Sequence, residues 1–169
     1  MIPGKLAVWL VRNFDICSCS LPLTNGRLRV TEHDVYMTLA LTKGPLEVAE
    51  AKSEMNCSRW GRRIKRNFIV FAVSTCINGN QRGEVNYLVL DTLLDLSKVR
   101  ELNWARYTMA VLFSSVDEWK KKTSRFFRGP ILFLMLCYLD WVVFKVRNVK
   151  HQFPTLRGWT NNKMKSKKK

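Results

Sequence analysis

Gly129-Pro130-Ile131-Leu132-Phe133-Leu134-Met135-Leu136-Cys137-Tyr138-Leu139-Asp140-Trp141-Val142-Val143-Phe144-Lys145-Val146 is the stretch on which the fold turns. Proline can open a helix because its missing N–H would be unpaired there anyway. From Ile131 onward nearly every face is apolar until Asp140, which predicts a central helix covered on all sides. Ile131–Phe144 is only fourteen residues long and contains Asp140, whereas a membrane span needs about twenty apolar residues. Phe68–Ile77 is shorter still. Both read as core helices, and no membrane partner is expected.

Upstream, Asn103 is placed to cap a longer helix in which Ala105, Met109, Leu112, Phe113 and Val116 recur at three- and four-residue intervals. That helix runs out through Trp119 into Lys120-Lys121-Lys122, where cations suit a helix C-terminus. Leu88–Leu96 is expected as a short helix with Leu90, Leu93 and Leu94 inward, preceded by the loop Asn78-Gly79-Asn80-Gln81-Arg82-Gly83. Arg62–Ile77 is a further helix, basic at its start and apolar through Ile69, Val70, Phe71 and Val73. Residues 46–58 read as a connecting loop.

Nearer the N-terminus, Thr31-Glu32-His33-Asp34 is a helix start, a threonine cap followed by acidic residues in the first turn. Val35 and Leu39 give the inner face, and Gly44-Pro45 is expected to stop this helix. Cys17–Leu23 and Arg27–Val30 flank Thr24-Asn25-Gly26. Asn-Gly accepts the positive φ of a tight hairpin turn, and Leu28 and Val30 alternate with Arg27 and Arg29. A helix over Lys5–Val11, ending near Asn13, precedes it. The expected fold is therefore mainly α, a single helical domain of about six helices with one small N-terminal β-hairpin. The module is set at residues 1–160, truncated from something larger, and residues 161–169 form a basic disordered tail.

Composition narrows function more than it identifies it. With 169 residues and 47% hydrophobic content, the chain can bury a core. Twenty-nine Lys and Arg against thirteen Asp and Glu give a net charge of +16, which favours an anionic partner: nucleic acid, an anionic membrane surface or an acidic protein. Residues 1–58 carry six basic and six acidic residues, so the excess begins at Arg59. Five cysteines with no framework spacing, and no secretory leader pattern, point to a reducing intracellular compartment.

Catalytic and metal chemistry find little support. Cys17-Ser18-Cys19 places two thiols on one face of a strand, with His33 not far off in sequence, but no second ligand pair follows. His33 and His151 are the only histidines, and no cysteine has a nucleophile's setting. Asp91, Asp95, Asp117 and Glu118 read as solvated helix faces, and no phosphate-cradling glycine loop exists. No catalytic residue, metal or cofactor is expected.

Two basic clusters remain as candidate nucleic-acid contacts. Arg59, Arg62, Arg63, Lys65 and Arg66 interleave with Trp60, so cations would grip phosphates while an aromatic stacks. Lys120, Lys121, Lys122, Arg125 and Arg128 sit beside Phe126 and Phe127. A solvated helix start and helix end account for the same residues without a ligand. The terminal Lys163, Lys165, Lys167, Lys168 and Lys169 read either as a nuclear-import or nucleic-acid tail or as an exposed end.

The stretch Leu21-Pro22-Leu23-Thr24-Asn25-Gly26-Arg27-Leu28-Arg29-Val30-Thr31-Glu32-His33-Asp34-Val35, with Leu39-Ala40-Leu41 and Gly44-Pro45-Leu46, resembles the opening of plant mobile domains. These are the aminotransferase-like domains spread through plant genomes by Mutator-type elements. Asn67-Phe68-Ile69-Val70-Phe71, Ser74-Thr75-Cys76, Leu102-Asn103-Trp104, Trp119-Lys120-Lys121 and Gly129-Pro130-Ile131-Leu132-Phe133-Leu134 are similar to uncharacterised plant proteins carrying such a region upstream of a Ulp-type SUMO-protease domain. The likeness covers most of residues 9–160 and rests on packing and turn patterns. It implies a nuclear, transposon-derived accessory module. It does not imply transaminase activity, since no lysine lies in a pyridoxal-phosphate context. The leading expectation is a non-catalytic interaction module binding protein or nucleic acid. The alternatives are the N-terminal accessory part of a SUMO-specific cysteine protease whose catalytic domain is absent here, and a degenerate gene fragment without function.

Overall fold

The computed structural model describes residues 4–48, 63–78, 89, 92–147 and 153–158. Among these the chain forms α1 (Gly4–Asn13), β1 (Ser20–Leu23), β2 (Gly26–Arg29), α2 (Glu32–Leu39), α3 (Arg63–Cys76), α4 (Trp104–Lys120), α5 (Ile131–Arg147) and α6 (Thr155–Gly158). The fold is mainly α, with six α-helices among the described residues and one two-stranded antiparallel hairpin near the N-terminus. No described helix is long and apolar enough to cross a membrane. The lysine-rich segment 161–169 lies outside the described residues.

The hairpin differs in detail from its expected turn. Pairing of Leu23 with Gly26 leaves Thr24 and Asn25 as the loop. Only Gly26 takes positive φ, at 134°, so the glycine opens β2 where an Asn-Gly turn would have placed it in the loop. Cys17 and Cys19 do not share a strand face as expected. Both lie in the turn ahead of β1, where Cys19 has φ 49° and donates its thiol to the Ile16 carbonyl.

Helix α2 starts as its sequence requires. Thr31 accepts from the Asp34 amide and Asp34 accepts from the Thr31 amide at 2.8 Å, which pairs two amides the helix leaves open. Its end is earlier than expected. Ala40 adopts the left-handed conformation (φ 57°) and donates its N–H to the Tyr36 carbonyl at 2.8 Å, which closes the helix four residues before Gly44.

Gly44-Pro45 has a different use. Residues 42–46 lie against Glu101–Ala105, with Leu46 N–H to Glu101 O at 3.0 Å, Asn103 N–H to Leu46 O at 2.6 Å and Ala105 N–H to Thr42 O at 3.1 Å. The Thr42 hydroxyl adds a bond to the Leu102 carbonyl at 2.7 Å. Between α3 and α4 the described part of the short helix expected over Leu88–Leu96 takes 3-10 form, with turns at Thr92–Leu94 and Leu96–Arg100. Asp95 breaks the run because its carboxylate caps the second turn, accepting from the Ser97 amide at 3.0 Å. Leu93 is buried as expected, whereas Leu90 lies outside the described residues.

Two apolar clusters form the core. The first joins Leu10, Val11 and Phe14 of the α1 region, Leu21 and Leu28 of the hairpin, Val35 of α2, and Phe133, Leu134 and Met135 of α5. The second gathers Val70, Val73 and Ile77 from the α3 region with Val89, Leu93 and Leu102. Helix α4 belongs to both. Ala105, Met109, Leu112 and Val116 face the first cluster, while Trp104, Tyr107 and Val111 face the second. Two stripes at three- and four-residue spacing on one helix are what an element sandwiched between two cores requires. Helix α5 packs against α1, α2, α3 and α6, and its residues Phe133 through Cys137 are all buried. Burying each such side chain contributes about 1.5–3 kcal/mol, so α4 and α5 together hold the fold.

Candidate functional site

The two basic clusters fare differently. Arg59, Trp60 and Arg62 lie outside the described residues. Arg63, Lys65 and Arg66 occupy the first turn of α3, where only the helical backbone is described. The second cluster is fully described, at the end of α4 and along the segment leading into α5.

That second cluster is built on the way α4 ends. Lys121 caps the helix, Lys122 takes a left-handed conformation (φ 58°), the Lys122 N–H bonds to Trp119 O at 3.1 Å, and the Thr123 N–H bonds to Glu118 O at 3.0 Å. This paired closure satisfies carbonyls that the helix leaves open, and the left-handed position in it ordinarily belongs to glycine. A side chain there costs roughly 1–2 kcal/mol. The chain therefore holds a lysine at a backbone position that favours glycine.

Downstream, neighbouring phenylalanines part company. Phe127 packs into the first core cluster with Trp119 and Ile131 nearby. It fits because residue 129 has no side chain: a Cβ on Gly129 would come within 2.5 Å of the Phe127 ring and 2.9 Å of Ser115 Cβ. Ser124 braces the bend, donating its hydroxyl to the Phe126 carbonyl at 2.7 Å. Phe126 is thereby turned out and is 49% exposed.

The five cations are not equivalent. Lys120 donates its ammonium to the carbonyl of Phe14, tying the end of α4 to the end of α1. Lys121 pairs with Asp117 one turn back at 2.7 Å. Lys122, Arg125 and Arg128 are exposed, and their side chains make no ion pair among the described residues. Sequence reasoning had grouped all five. What it missed is the helix closure, because a lysine in place of glycine carries no local signal, and the long-range Lys120–Phe14 bond, because its partners are 106 residues apart.

Several other chemistry-bearing residues among the described ones are engaged or buried. Asp15 accepts from Ser18 and from Arg27 at 2.9 Å. The Ser18 hydrogen bond, opposed by desolvation and helped by nearby amides and Arg27, holds its carboxyl below the ordinary carboxylate value. Burial pushes the thiols of Cys76 and Cys137 up, away from the reactive thiolate. His33 lies in the first turn of α2 beside Lys43, with its ring nitrogen 3.4 Å from the ammonium, and His151 lies outside the described residues. Asp117 is engaged by Lys121, Asp95 caps a turn, Glu118 is exposed, and Asp91 lies outside the described residues. Among the described residues no three His, Cys, Asp or Glu side chains gather as metal ligands.

A family model described as a domain of unknown function (DUF8566) matches residues 1–62 and 52–135. No curated protein and no solved structure matches the chain.

Proposed function

The chain belongs to the DUF8566 family, a domain of unknown function, and on that footing we propose that it is a non-catalytic module that binds nucleic acid through the α4–α5 junction. The observation that carries this reading is the retention of Lys122 at a left-handed helix end, beside Arg125 and Arg128, which are exposed and make no ion pair among the described residues. Backbone strain of this kind is enriched at binding sites, and at Lys122 it falls within a cluster of exposed cations. The net charge of +16 supports the same reading, because phosphates draw cations by releasing counterions. The resemblance of most of residues 9–160 to plant mobile domains and the related plant proteins supports a nuclear setting and a transposon-derived origin for the module. Arg63, Lys65 and Arg66 on α3, with Arg59, Trp60 and Arg62 ahead of them, are proposed as a second contact.

The test is binding of a labelled oligonucleotide, single-stranded and duplex, across a salt series. Affinity should fall steeply with salt, and the combined variant Lys122→Ala, Arg125→Ala, Arg128→Ala should flatten the log–log slope by about two to three on duplex. Absence of binding to both forms, or a slope the variant leaves unchanged, overturns the reading.

A further inference from the structure

The geometry points to single-stranded nucleic acid as the ligand of this junction, with Phe126 as the platform on which a base stacks. This rests on the nucleic-acid reading above and adds the form of the ligand and the residue that selects it.

Three features carry it. First, the exposed ring is positioned by design of its neighbours. Phe127 is seated in the core against the space left by Gly129, and Ser124 bonds to the Phe126 carbonyl, so Phe126 faces outward on a braced bend. Second, its flanks carry the right charge, with Arg125 immediately before and Arg128 two residues after, both exposed. An aromatic face between cations that track a phosphate backbone is the arrangement that binds unpaired bases without regard to sequence. Third, the helices on either side are unsuited to a duplex. Reading a major groove needs a helix whose exposed face does not repel phosphates. Nine residues of α4 are buried, spread over both of its core faces, and α5 is buried from Phe133 through Cys137. The exposed end of α4 carries Glu118 beside the half-buried Asp117, so what remains for a phosphate backbone at the junction is a short charged segment with one ring. A duplex hides its base faces within the stack, whereas a single strand offers them.

Binding of the intact chain to a labelled single strand of roughly fifteen nucleotides, and to a mixed-sequence duplex of the same length, tests this at low salt. The single strand should bind more tightly. Phe126→Ala should weaken it by roughly tenfold, within the range of losing one base stack, while leaving duplex affinity unchanged. Phe126→Trp should retain single-strand affinity, and Phe126→Leu should behave as the alanine variant does. Because Phe126 lies outside the core, these variants should melt with the unchanged protein. Equal or tighter duplex binding overturns the inference, as does full affinity in Phe126→Leu. A parallel loss on duplex overturns it too, by making Phe126 a wedge between base pairs. Absence of binding to both forms sinks the nucleic-acid reading itself, which is a separate result.

Discussion

Gly44 and Glu101 lie so close that a Cβ on Gly44 would sit 1.8 Å from the Glu101 carbonyl oxygen. The obstacle is backbone, held by the Leu46 N–H bond to the same oxygen at 3.0 Å, so no side chain can swing aside. Gly44→Ala must part the segment 42–46 from the start of α4, and with it the Asn103 N–H bond to Leu46 O. Overpacking against yielding side chains costs about 1–3 kcal/mol, and a rigid contact belongs at or above the upper end. A urea unfolding series should show the midpoint falling accordingly. An unchanged midpoint would mean the two segments do not meet.

The polar cluster at the hairpin's base predicts an acid-side dependence. Asp15 has its carboxyl held below the ordinary 3.8, first by the Ser18 hydrogen bond. A carboxyl depressed in the folded state contributes stability above its unfolded value, and that contribution is lost as pH falls through the folded value. Ser18→Ala should raise the Asp15 titration midpoint, read by carboxyl carbon chemical shifts. Arg27 still accompanies Asp15 in that variant, so the midpoint should rise only part of the way.

Legibility followed the range over which each feature is encoded. The helix starts at Thr31 and Asn103 are written within three residues, since each side chain accepts from an amide three positions on, and both formed where expected. The apolar faces of α4 were equally plain, because their burial recurs at three- and four-residue spacing, and in α5 the run Phe133–Cys137 is buried without a break. The stop of α2 was misread at Gly44-Pro45 because glycine usually marks a left-handed end, and here Ala40 takes that role. Gly44 instead answers to Glu101, whose position in sequence gives no hint of the contact. At the candidate site the cations were evident, yet their division into engaged and free depends on Phe14 and Asp117. Composition has no access to that division.

Accessibility should order the cysteines under alkylation. Cys17 is exposed, Cys19 and Cys76 are half-buried, and Cys137 is buried within α5 with its thiol pushed far from ionisation. Brief treatment with iodoacetamide, followed by peptide mass mapping, should label Cys17 first among these four and Cys137 only after denaturation. Early labelling of Cys137 would mean that α5 is not held in the core as described.

Lys122 and Ala40 together separate strain from function. Both hold left-handed φ, at 58° and 57°, at the end of a helix, and both are positions where glycine removes a steric cost. Lys122→Gly and Ala40→Gly should each raise stability by about 1 kcal/mol, seen as a higher urea midpoint. Their effects on nucleic-acid affinity should diverge. Ala40 carries no charge and sits at the end of α2, so its glycine variant should bind as before. Lys122→Gly removes one of the three junction cations that make no ion pair among the described residues, and its salt slope should shallow by roughly one on duplex. A Lys122→Gly protein that is more stable and binds equally well would leave the strained lysine with no part in binding. A stability gain coupled to weaker, less salt-sensitive binding would mean that this lysine is kept at the helix end for its charge.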